Sequence, residues 1–241
     1  MEQNRIEVSD TTIFAETRER LIQGADQKYQ EFHSSLVPGE EMAPILGCRV
    51  PFLRSLGKEI AKRNGRQYIQ ELAGAGPLYY EELVLWGVII GYLKCGRDER
   101  VRLLDGFVPR IENWAVCDVS CATYKFMQKD QEFWFSYLSG WLKRKGEYEI
   151  RFALVCLLDF FVTEAFIDRV LEAAANADHE GYYVKMAAAW AISVCFVKFP
   201  EKTRPLLTED RLDAVTRKKA IQKIRDSYRV SREEKEWLKQ L

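Results

Sequence analysis

The chain is poor in histidine, in long apolar runs and in net charge, and each shortage narrows what it can be. Only His33 and His179 occur in 241 residues, and neither lies near Cys117 and Cys121, two thiols four positions apart. A metal shared by those thiols would lack nitrogen partners close in sequence, so buried structural cysteines are the better reading. The six cysteines, Cys48, Cys95, Cys117, Cys121, Cys156 and Cys195, fall mostly inside apolar helical patterns. That is not a disulfide-dense scaffold, and reduced thiols in a cytoplasmic protein are expected. No run of about 18 uncharged apolar residues is present, which argues against a membrane span. The first ten residues are polar and lack the apolar core of a signal peptide.

Charge is balanced overall but unevenly spread. Lys and Arg total 36, as do Asp and Glu. A net charge of zero argues mildly against a nucleic-acid partner. Residues 1–42, however, hold nine acidic and four basic side chains, whereas residues 217–241 hold nine basic and four acidic. Such asymmetry suggests one polyanion-facing surface on a neutral molecule. On charge alone, solvated helix faces explain it as well.

What is abundant is helical periodicity. Apolar residues, 47% of the chain, recur at helical spacing over 11–32, 51–64, 79–94, 98–107, 114–126, 131–143, 147–161, 164–174, 182–199, 213–225 and 231–241. Breakers separate these stretches: Pro38-Gly39, Asn64-Gly65, Gly74 to Pro77, Pro109, Lys145-Gly146, Gly181, Pro200 and Pro205. Ser231 followed by Glu234 is a capping-box signature for the last helix. Strand signals are weak. The expectation is an all-α fold of short stacked helix pairs, in one domain over 1–241 without a long linker. Asp118 and Arg151 are 33 residues apart, Arg151 and Trp190 39. Both intervals match a two-helix repeat of the HEAT type, roughly 40 residues long. Periodicity alone supports a right-angled helical bundle almost as well.

The stretch from Ile111 to Cys121 carries the strongest chemical signal. Trp114 and Asp118, four residues apart, share one face of an apolar helix. A carboxylate on such a surface is costly unless it is paired or functional. Alternative readings stand beside this one. Asp118 could cap a helix or pair with an arginine, and Trp114 and Trp190 could be core residues. The stripe Tyr183, Ala187, Trp190 and Val194 could be packing. Arg151, four residues after Glu147, could form a surface ion pair.

The order and spacing of several blocks resemble the AlkD family of alkylpurine DNA glycosylases. They are Ile45-Leu-Gly-Cys-Arg-Val-Pro51, Tyr79-Tyr-Glu-Glu82, Glu112-Asn-Trp-Ala-Val-Cys-Asp118 and Glu147-Tyr-Glu-Ile-Arg-Phe-Ala153. Two more follow, Gly181-Tyr-Tyr-Val-Lys-Met-Ala-Ala-Ala-Trp-Ala191 and Ala220-Ile-Gln-Lys-Ile-Arg-Asp-Ser-Tyr-Arg-Val-Ser231. The resemblance implies a HEAT-like helical-repeat solenoid with a concave DNA-binding cleft. It implies hydrolysis of the N-glycosidic bond of cationic N3- or N7-alkylated purines in duplex DNA, in base excision repair. No metal, no cofactor and no base-extrusion pocket are expected. Asp118 matches the family's catalytic aspartate, Trp114 and Trp190 its cleft tryptophans, and Arg151 its cleft arginine. The small apolar segment Ala115-Val116-Cys117 lies between the first two.

The side chains suit that chemistry. Alkylation turns the purine into a cationic leaving group that needs no general acid. A carboxylate about 3–4 Å from the sugar can stabilise the developing charge and orient water. Arg151 would hold a backbone phosphate bidentately. Sequence-independent phosphate contacts are expected from Lys185, Arg217, Lys218, Lys219, Lys223, Arg225, Arg229 and Arg232, with the corner Lys143-Arg144-Lys145. Nothing suggests an obligate dimer, so a monomer is expected, cytoplasmic and associated with the nucleoid. The alternative is a non-catalytic helical-repeat module that binds DNA structures or a protein.

Overall fold

The computed structural model describes residues 12–37, 43–177 and 179–241. The polar start of the chain and the Pro38-Gly39 breaker lie outside them. The described residues form fourteen α-helices, with no strand among them, and divide into two compact units at Cys95/Gly96. Among these residues no helix is long and apolar enough to cross a membrane.

The first unit contains α1 (Ile13–Gln23), α2 (Gln27–Leu36), α3 (Val50–Arg63), α4 (Gly65–Ala73) and α5 (Tyr80–Tyr92). The apolar stretch expected as one helix over 11–32 is two, because the chain turns at Gly24. Gly24 closes α1, and the Asp26 side chain opens α2 by accepting the Tyr29 N–H at 3.1 Å. The helix α4 was not foreseen, since it opens at Gly65, a residue of low helix propensity. Its tight packing explains the glycine: a Cβ at Gly65 would lie 2.8 Å from the Leu93 side chain.

The centre of this unit is α5, buried from Tyr80 through Ile90 and packed on α3 and α4. Two fully buried acids sit in its first turn. Glu81 accepts the Leu46, Gly47 and Cys48 N–H groups at 3.0, 2.7 and 3.0 Å. Glu82 accepts two hydrogen bonds from Arg18, at 2.7 and 2.8 Å, and the Tyr79 N–H. Each buried charge is thus surrounded by donors, as burial requires.

The second unit contains α6 (Arg97–Phe107), α7 (Trp114–Cys121), α8 (Gln131–Trp141), α9 (Glu147–Phe160), α10 (Ile167–Ala175), α11 (Tyr182–Lys198), α12 (Pro200–Thr208), α13 (Ala214–Asp226) and α14 (Arg232–Leu238). Here the odd-numbered helices make one row: α7 packs on α9, α9 on α11, and α11 on α13. The even-numbered helices back them, α8 against α9, α10 and α12 against α11, and α14 against α13. This alternation is the packing of a helical repeat. Central helices in such a row are covered on several sides. That is why α9 buries nearly every residue from Ile150 to Phe160, and α11 most of those from Val184 to Phe196. Each fully buried Leu or Phe there contributes about 1.5–3 kcal/mol.

Two expectations needed adjustment. Pro200 opens a helix instead of ending one, because its missing N–H costs nothing at the first helical position. The stretch 114–126 is helical only to Cys121, after which a 3₁₀ turn runs over Lys125–Lys129. The capping box at Ser231 and Glu234 is present, with reciprocal bonds of 3.1 and 3.2 Å.

Candidate active site

The second unit supplies every side chain of the site. Asn113 begins α7: its backbone is extended and its Oδ1 accepts the Val116 N–H at 2.9 Å. One face of α7 (Ala115, Val116, Cys117, Ser120 and Cys121) is buried, which leaves Trp114 and Asp118 half-buried along the other. None of the six cysteines is in a disulfide. Burial pushes Cys117, Cys121 and Cys156 well toward the protonated form, so nothing marks them as nucleophiles.

Asp118 is gripped by Arg151 of α9. The guanidinium Nε donates to Oδ1 at 3.0 Å and Nη2 to Oδ2 at 2.7 Å. The third nitrogen, Nη1, donates to the Tyr183 carbonyl of α11 at 2.9 Å. The Arg151 side chain is 7% exposed, whereas that of Asp118 keeps 18%. The acid therefore faces outward while its counter-charge lies behind it. Burial raises the Asp118 pKa above the ordinary aspartate value, and the Arg151 hydrogen bonds oppose that rise. Burial would lower the Arg151 pKa, but its contacts with Asp118 outweigh it and raise it.

This geometry changes the part expected of Arg151. Its planar fork is occupied by Asp118 and cannot hold a phosphate bidentately at the same time. Nor does it pair with Glu147, whose carboxylate accepts the Tyr183 N–H at the start of α11. The rings of Tyr148 and Tyr183 pack against each other with centroids 5.5 Å apart, and the Arg151 Cζ lies 5.9 Å from the Tyr183 centroid. Sequence reasoning did not single out Tyr148. Its place three residues before Arg151 on the same helix was the available signal.

Trp190 lies further along the row. It is half-buried on α11 and borders a cavity of about 430 Å³ together with Val194, Val197, Lys223, Asp226 and Arg229. Lys223 connects this cavity to the acid. Burial lowers its pKa, the charges of Arg151 and Lys219 lower it further, and Asp226 and Asp118 oppose them.

The other basic positions differ in how available they are. Lys185 is neutralised by Glu180 at 3.0 Å and Asp213 at 3.8 Å, so its expected phosphate contact would have to break an existing pair. Arg217 is anchored to the Leu207 and Leu241 carbonyls at 2.8 and 3.4 Å, and Lys219 donates to Gln222 at 3.5 Å. Lys218 and Arg225 are exposed and border a second cavity, of about 410 Å³, with Arg217 and Lys239. In the corner at 143–145, Arg144 lies over the Trp141 ring at 5.3 Å.

Comparison with curated proteins returned no match. The DNA alkylation repair enzyme family matches residues 17–224, a span that takes in Trp114, Asp118, Arg151, Trp190 and Lys223. With most of its length and its whole acid-centred site inside that match, the chain belongs to the DNA alkylation repair enzyme family, and DNA is its partner.

Proposed function

We propose that the chain is a DNA glycosylase that hydrolyses the N-glycosidic bond of cationic N3- or N7-alkylated purines in duplex DNA. The observation that supports this best is Asp118, a carboxylate fixed from behind on both oxygens yet still open in front. Each carboxylate oxygen has two acceptor positions, and Arg151 takes one on each. Its solvent-exposed edge is left to meet a substrate.

The reaction needs little more. The bond between the deoxyribose C1′ and the purine nitrogen breaks, and its electron pair discharges the cationic purine, which leaves neutral. Positive charge passes to the sugar, where the Asp118 carboxylate stabilises it. Water then adds to C1′ and gives its proton to Asp118 or to solvent, leaving an abasic site. Arg151 is a positioning residue: it holds the carboxylate in one rotamer and favours its anionic form. The indole of Trp114, one turn before Asp118, would exclude water and strengthen that electrostatic contact.

Methylated duplex DNA should yield free 7-methylguanine or 3-methyladenine, detected by mass spectrometry. Asp118→Asn should still bind DNA but release base at least about 100-fold more slowly, the usual cost of one lost electrostatic stabiliser. Full release by Asp118→Asn would remove Asp118 from the mechanism.

One observation favours a second reading. A bidentate Arg–Asp pair joining two helices is also what a purely structural bridge makes, as in a non-catalytic module that binds DNA structures. No free base from the wild-type protein, with tight binding of bent or branched DNA, would select that reading.

A further inference from the structure

The C-terminal end of α9 presents an acid that no basic side chain neutralises among the described residues. From Ile150 to Val162 every residue is buried except Asp159, which is exposed. Helices α7 and α11 cover α9 on either side, and α8 and α10 back it, so Asp159 marks the side that these helices leave open. Asp118 is near enough there for its charge to weigh on Asp159. Donors that reach this end of the helix go to carbonyls instead. Gln131 donates to that of Phe160 at 3.0 Å, and Lys198 to that of Val162 at 3.3 Å.

Three costs fall on this one charge. Asp159 is the last residue but one of α9, where the helix dipole is negative and disfavours an acid. Burial of its inner side, and after it the charge of Asp118, push its carboxyl up to about 6. Duplex DNA, the partner, brings phosphates of the same sign. No contact within the protein offsets these costs, so stability does not explain the residue. A positive charge arriving from outside would offset them, and the one that the proposed substrate carries is its alkylated purine.

We propose that Asp159 is a specificity-determining residue: its charge weakens the binding of intact duplex and is offset only where a cationic purine lies beside Asp118. Intact sites are thereby let go and the lesion is held. The positive charge stays in the complex throughout, on the purine before the bond breaks and on the sugar afterwards. Asp159 therefore favours the cationic complex before and during cleavage alike, which sets affinity, whereas Asp118 acts on the step itself. This inference deepens the proposed function and rests on it for the identity of the cation.

The test compares a duplex carrying one 7-methylguanine with the same duplex unmodified, at about pH 7, where Asp159 is mostly ionised. Single-turnover release gives the half-saturating protein concentration and the saturating rate, and competition by intact duplex gives its affinity. Asp159→Asn should bind the intact duplex about tenfold more tightly, gain little on the lesion, and so lose about tenfold in selectivity. Asp159→Glu, which keeps the charge, should keep most of that selectivity, a rescue that a packing role would not give. A lower saturating rate with unchanged selectivity would overturn the proposal and make Asp159 an acceptor of the water's proton. So would equal gains on both duplexes, which would leave only a repelled phosphate, or unchanged affinity for both. Should the wild type release no base, the glycosylase reading fails, and equilibrium titration of the two duplexes still decides on Asp159 by the same ratio.

Discussion

At the scale of single residues, the decisive arrangement is an acid whose charge is supported from one side only. The raised pKa of Asp118 comes from burial, and the Arg151 guanidinium limits the rise. If the anion is the active form, base release should increase with pH as Asp118 ionises, with its acid limb above the ordinary aspartate range. Arg151→Gln removes the main stabiliser of the anion, so that limb should move to higher pH. Single-turnover release measured between about pH 5 and 8 reads the shift. A limb that stays in place would mean that Arg151 does not control the acid. The same variant should lower folding stability by on the order of 3 kcal/mol, since it leaves a partly buried carboxylate without its partner. Trp114 and Asp118 were legible from their spacing on one helix. The Arg151 contact was not, because it depends on the register of α7 against α9, two helices 33 residues apart at the contact.

At the scale of elements, sequence periodicity revealed even helices as short as α7 and α14, and the two it missed, α4 and α12, begin with glycine or proline. Gly65 and Pro200 read as breakers because propensity describes an isolated helix, whereas packing against neighbours decides these two. Gly47 illustrates a glycine with a specific duty. Its φ of 100° lies in the left-handed region, and a Cβ there would collide with the Asp26 carbonyl. Its neighbourhood is held by Glu81 from the far side, so the segment has little room to shift. Gly47→Ala should therefore destabilise the first unit by about 1–3 kcal/mol, seen as an earlier urea midpoint. An unchanged midpoint would show that the segment relaxes without strain. Nothing in the local sequence announced the grip of Glu81, because its partners are backbone amides over thirty positions earlier.

At the scale of the whole molecule, a net charge of zero conceals a division between fixed and available cations. Lys185, Arg217 and Lys219 are already engaged within the protein. Lys218, Lys223, Arg225 and Arg229 make no side-chain hydrogen bond or ion pair among the described residues. If these four meet phosphates, the logarithm of duplex affinity should fall against the logarithm of salt with a slope of about −4. A slope near zero would place the DNA elsewhere on the protein. The basic C-terminal stretch was readable from composition. Which of its members were spoken for was not, because that depends on carbonyls and carboxylates brought near by folding. One further consequence follows from the third nitrogen of Arg151, tied to the main chain of α11 while its fork holds the side chain on α7. Three neighbouring helices of the row, α7, α9 and α11, must be in step before the carboxylate points correctly, and an ångström of slippage can cost a reaction about a hundredfold. If Asp118 acts as proposed, a loosened stack would therefore fall silent before it could attack the wrong bond, and the bridge would spare intact genetic material.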